Sequence, residues 1–149
     1  MKDSKITRVT KLLLDIMFFG GIIVTLTLPL SFKFYGKYNE FFETYYMQLL
    51  IIFFISGFFA VLILRELRCI FTTVLKDDCF VEENVKSLNR MGLYSFAIML
   101  ASLIRLPLYF TPAVFIIVIV FLVAGLFSRV LAIVFAKAVE YKQENDFTI

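Results

Sequence analysis

The groups able to do chemistry are few, and their spacing limits what that chemistry could be. There is no histidine, and no serine or cysteine stands beside a base placed to activate it, so no enzyme activity is expected. Cys69 and Cys79 lie ten positions apart and fit neither a CxxC motif nor a zinc spacing. They read as structural thiols, with palmitoylation or redox sensing as remote alternatives. No cofactor and no metal is expected. The informative charges are those set among apolar residues: Asp15, Arg105 and Arg129. A carboxylate about one turn into an apolar helix costs ~1–3 kcal/mol unless it reaches headgroups or a partner. Lys11, four residues earlier, is one partner for Asp15. Arg129 of the last apolar segment is the other, an intramembrane ion pair that would fix the contact of the first and fourth spans. Arg129 could instead snorkel to the membrane surface. Arg105 either snorkels to headgroups or faces inward to hold an anion.

A second group of polar residues forms an island between Arg65 and Arg90, RELRCIFTTVLKDDCFVEENVKSLNR. Within it Val81, Val85, Leu88 and Met91 recur at spacings of three and four, the stripe of an amphipathic helix. Asp78 is the expected N-cap, Glu82 and Glu83 suit the positive end of the helix dipole, and Lys86 and Arg90 suit its later turns. The expectation is a short helix, 81–90, that lies at the membrane surface and continues into the next span. Asn84 is either solvated or the donor and acceptor that clips a loop or tail in place.

The elements that must position these residues are membrane helices. Of the 149 residues 61% are hydrophobic and 19 are phenylalanine, with a mean hydropathy of +0.91. A soluble core of this size buries only about two thirds of its chain's surface, so the solvent for the remainder is lipid. Four apolar segments appear, at about 12–32, 45–64, 91–106 and 113–136. Each approaches or exceeds the ~20 residues that cross a bilayer. The backbone must satisfy itself in lipid, and the runs do not alternate as barrel strands do. The predicted fold is therefore an all-α integral membrane protein, a single membrane domain over 1–149 forming a bundle of four transmembrane helices. The first segment lacks a small-residue cleavage site and reads as retained.

Lysine and arginine set the orientation. With the N-terminus in the cytoplasm, twelve of them fall on the inner side and only Lys33, Lys37 and Arg105 on the outer. Both termini, the loop 65–90 and the tail 137–149 are thus expected in the cytoplasm. The net charge of +3 reflects this topology, and direct nucleic-acid binding is not expected.

Outside the membrane, the segment 31–48 is rich in Phe and Tyr, among them Tyr38, Phe41 and Phe42. It reads as an interfacial belt or as a surface for an apolar peptide or lipid, with Glu40 and Glu43 open to a cationic partner. Thr111 and Pro112 make an N-cap and first-turn pair for the fourth span, and Pro107 ends the third. Small residues, Ser56, Gly57 and Ala60 in the second span and Ala124, Ser128, Ala132 and Ala136 in the fourth, mark close packing or dimerisation. The tail ends in Glu144, Asn145, Asp146, Phe147, Thr148 and Ile149. Its apolar residues either fold back onto the island helix, which is favoured, or dock another protein.

Two stretches, CFVEENVKSLNRMG and VFAKAVEYKQENDFTI, resemble a bacterial family of small four-helix membrane proteins, domain of unknown function 2975. Phe80, Glu83, Asn84, Val85 and Leu88 match its phenylalanine and acidic-Asn-Val motif, and residues Glu144 to Ile149 match its closing tail. The chain departs from the pattern at Cys79, Ala138, Tyr141 and Phe147. The resemblance implies the bacterial cytoplasmic membrane, no established activity, and a pairing with a small helix-turn-helix regulator.

On this reading the protein is a regulatory or interaction module whose loop and tail dock a soluble partner, possible regulator included, through Phe80, Glu83, Asn84, Val85, Leu88, Glu144, Asn145, Asp146 and Phe147. One alternative is a bacteriocin-immunity-like protein that uses the aromatic outer loop, and another is a small transporter subunit, with oligomers open to either. Membrane lipids are partners in every case.

Overall fold

A computed structural model describes residues 2–37, 44–107 and 111–148, apart from the side chains of 2–4, 35 and 146–148. All regular structure among them is helical: α1 Lys2–Leu26, α2 Leu28–Gly36, α3 Tyr46–Leu75, α4 Glu82–Arg105 and α5 Pro112–Thr148. Four of these, all but α2, are long and apolar enough to cross a membrane, which makes the chain a multi-pass membrane protein.

Helices outrun the apolar segments that predicted them. α3 has 30 residues and α5 has 37, about 45 and 55 Å at 1.5 Å per residue, against a hydrocarbon core of about 30 Å. The polar island is therefore mostly helix, and only 76–81 connects α3 to α4. Arg65, Glu66, Leu67 and Arg68 end a hydrophobic run, yet all are strong helix formers. The anticipated helix 81–90 is the first third of α4, with no break before the third span. The first span, read as one helix, is divided at Thr27. Pro29 has no N–H to give to the Thr25 carbonyl. Bonds from Thr27 N–H to Ile23 O (3.0 Å) and from Ser31 N–H to Thr27 O (3.0 Å) carry the chain across.

At the other connection Thr111 caps α5 as its sequence suggests, since its Oγ1 accepts from Val114 N–H at 3.3 Å and Pro112 fills the first helical position. The residues Tyr38, Glu40, Phe41, Phe42 and Glu43 of the outer aromatic segment lie outside the described residues.

Close packing runs in a row, α1 on α3, α3 on α4 and α4 on α5. α3 and α4 are the inner pair, and α4 is the least apolar of the four spans. Its buried residues follow the three-and-four spacing of one helix face, including Ser87, Leu88, Met91, Ser95, Ile98 and Ser102. Serine and glycine there let α5 approach. A Cβ added at Gly92 would meet the Arg129 side chain at 3.1 Å and the Gly125 carbonyl at 3.2 Å, and one at Gly125 would sit 2.6 Å from the Phe96 ring. Ser128 and Ala132 are buried in the same seam, so the expected small-residue ridge of α5 faces α4. Gly57 does the same for α1, where an added Cβ would lie 2.7 Å from Thr25 Oγ1. Exposed aliphatic and phenylalanine side chains cover the outer faces of α1 and α5, as lipid contact requires.

Candidate interaction surfaces at the polar end

The ends of α3 and α5 and the starts of α1 and α4 bring nearly all the charged residues to one end of the row. Three constellations stand there.

The first is the α3–α4 corner. α3 closes with paired bonds from Asp77 N–H to Val74 O and from Asp78 N–H to Thr73 O, both 3.1 Å. This is the Schellman arrangement, which places the residue after the cap in the left-handed region. Asp77 stands there with φ 55°, a position usually taken by glycine. Val81, extended at φ −126° and ψ 153°, then begins α4 with no side-chain cap. Asp78 is thus not the N-cap that the sequence suggested: it stands three residues before the cap position, and its carboxylate meets Lys142 instead. Asn84, 2% exposed, donates one amide hydrogen to Thr73 Oγ1 (2.7 Å) and the other to Cys79 O (2.6 Å). Of the two readings of Asn84, clipping a loop is the one the geometry shows. Behind it Leu88, Met91, Ile70 and Ala132 form a core, joined by a bidentate pair in which Arg90 Nε and Nη2 meet Glu66 Oε1 and Oε2 at 3.0 and 3.2 Å. The Glu66 side chain is only 10% exposed, whereas Arg90 reaches water at 51%.

The second constellation lies between α1 and α3. Arg68 Nε donates to Asp15 Oδ1 at 2.6 Å, and Lys11 Nζ meets Asp15 Oδ2 at 3.1 Å. The Arg68 guanidinium stacks over the Phe18 and Phe19 rings at 4.5 and 5.2 Å. The expected pairing of Asp15 with Arg129 is therefore corrected. α1 and α5 stand at opposite edges of the row, with α3 and α4 between them, and Arg129 Nη1 donates instead to Asn89 Oδ1 at 3.2 Å. Beside this cluster is a hollow of about 290 Å³ bounded by Lys11, Phe18, Arg65, Arg68, Cys69 and Thr72.

The third is a groove of about 230 Å³ between α4 and the extension of α5, with Val85, Ala136 and Val139 for its floor and Glu82, Glu140 and Gln143 at its rim. Its walls are held together by an edge-to-face contact of Phe80 with Phe135 (centroids 5.3 Å apart) and by an ion pair of Lys142 with Asp78.

The residues expected to dock a partner separate accordingly. Phe80, at 44% exposed, and Glu83 face outward, and Val85 is half-buried in the groove floor. Asn84 and Leu88 are buried within the chain, because the stripe that would have formed an amphipathic surface packs against α3 and α5. Glu144 and Asn145 are exposed on α5, which runs on as helix, and the side chains of Asp146 and Phe147 lie outside those described. Sequence reasoning missed Glu66 and Thr73, whose partners are 24 and 11 residues away. Nothing local marks either one. Arg105, near the opposite end, lies over the Phe53 ring at 4.6 Å and lines an apolar cavity of about 300 Å³ to which all five helices contribute.

These features define a class: a multi-pass helical membrane protein with an elaborated polar end. Residues 33–149 match the sequence profile of the family described as Protein of unknown function (DUF2975), and the chain belongs to that family. No curated protein and no solved structure matches it.

Proposed function

We propose that the protein is a membrane-bound regulatory module, not an enzyme, whose α4–α5 groove holds a cationic amphipathic helix of a soluble cytoplasmic protein. The observation that carries this reading is the groove itself, in which an apolar floor of Val85, Ala136 and Val139 is rimmed by Glu82 and Glu140. An amphipathic helix buries its apolar face in such a groove, and acidic rims select basic flanks. The excess of lysine and arginine on this end supports its placement in the cytoplasm of a bacterial cell. A small helix-turn-helix regulator has the right chemistry, since DNA-binding proteins carry surplus positive charge.

The test is site-specific photo-crosslinking from Val139 and Phe80 of the full chain in bacterial membranes. The expected result is a crosslink to a basic helix of a small DNA-binding protein, reduced at least tenfold when Glu82 and Glu140 are both changed to lysine. Crosslinks confined to the chain, or capture that survives the charge reversal, would sink this function.

A further inference from the structure

The hollow between α1 and α3 belongs to no part of the docking groove, which lies on the far side of the row, and its charges do not balance. Lys11, Arg65 and Arg68 bring three positive charges, against the single carboxylate of Asp15. Asp15 engages Lys11 and the Nε of Arg68, and the Phe18 and Phe19 rings hold the guanidinium from its face. Among the described residues, no protein acceptor meets either Nη of Arg68, and Arg65 makes no ion pair. A guanidinium fixed by one edge and one face, with its other edge open, is arranged for a second oxyanion.

Depth identifies the anion's class. Lys11 immediately precedes the apolar run of α1, and Arg65 immediately follows that of α3 at Leu64. Both therefore sit at the level where hydrocarbon gives way to headgroups. Phe18, two turns further into α1, forms the apolar wall of the same hollow. Cations at headgroup depth above an aromatic wall match a phosphate with the beginning of an acyl chain beneath it. A volume of about 290 Å³ lies at the lower end of ligand pockets.

We propose that Lys11, Arg65 and Arg68 form a binding site for a phosphate-bearing anion, supplied by an anionic phospholipid headgroup. Arg65 and the open edge of Arg68 grip the phosphate oxygens, while Asp15 positions Arg68. Zwitterionic lipid, whose own cation must share the hollow with the surplus positive charge, binds less well.

Thermal unfolding of the full chain in neutral detergent tests this. Phosphatidylglycerol should raise the apparent Tm by roughly 5 °C over an equal mole fraction of phosphatidylcholine. R65Q should lose that rise. Arg65 is the side chain to change because it makes no ion pair among the described residues, whereas Arg68 holds Asp15 and its loss would disturb folding. K137Q, which removes an exposed cation of α5 at the other edge of the row, should keep the rise. A rise with inorganic phosphate over chloride at matched ionic strength, also lost in R65Q, would keep the site and make soluble phosphate its source. Equal rises in R65Q and the parent, or none with either probe, would overturn the proposal.

Discussion

The two charged clusters at the polar end are built from the same residue types and do opposite things. Between α3 and α4, Arg90 grips a nearly buried Glu66 with two bonds, and beside them both amide hydrogens of Asn84 find acceptors. Between α1 and α3, one carboxylate faces three cations, and the Lys11, Asp15 and Arg68 side chains are each about a quarter exposed. The first cluster is closed upon itself, and the second has binding capacity left over. Burial accounts for the difference. A buried polar group that lacks a partner costs its full desolvation penalty, so folding requires closure there, while a partly exposed one can wait for water or a ligand.

Substitutions can break this contrast. Arg90→Met strands the Glu66 carboxylate at 10% exposure and should destabilise the protein by about 3 kcal/mol. The matched change in the open cluster, Arg65→Met, should cost under ~0.5 kcal/mol. Reversible unfolding of both in mixed micelles compares them directly, and equal losses would erase the distinction. The corner provides a second, smaller effect. Asn84→Ala removes both clips, from Thr73 Oγ1 and from the Cys79 carbonyl, and should cost about 2 kcal/mol, with faster proteolysis of the 76–81 connection as the visible sign. Unchanged proteolysis would mean that the Schellman turn alone holds the corner. The smallest effect runs the other way. Asp77→Gly relieves a left-handed residue at φ 55° and should stabilise by about 0.5 kcal/mol, read as a small rise in the unfolding midpoint. A fall there would show that the Asp77 carboxylate does more for the corner than its backbone costs.

How far the chain could be read without its structure varies with the range of the interaction. Thr111 and Pro112 announced the start of α5 because a cap and its first turn are three residues long. Lys11 was legible as a partner of Asp15 because a spacing of four puts both on one helix face. The ends of α3 were not legible, since hydropathy reports where lipid stops and Arg65 to Leu75 continue the helix beyond it. Leu88 and Asn84 looked like a partner's surface because an amphipathic stripe does not say which apolar neighbour it meets, and here that neighbour is the chain's own core.

The sequence by itself determined that the chain lives in a membrane, crosses it with four helices, and gathers its charge at one end. Those properties are sums over local residues, each responding to lipid or water independently. Only the tertiary structure decided that Asp15 pairs with Arg68 and not Arg129, that Glu66 closes on Arg90, and that Asn84 locks the corner. Each depends on which helices are neighbours. That order, α1–α3–α4–α5 in a row, follows from the fit of small residues such as Gly57, Gly92 and Gly125 against particular side chains across the seams, which no single helix contains.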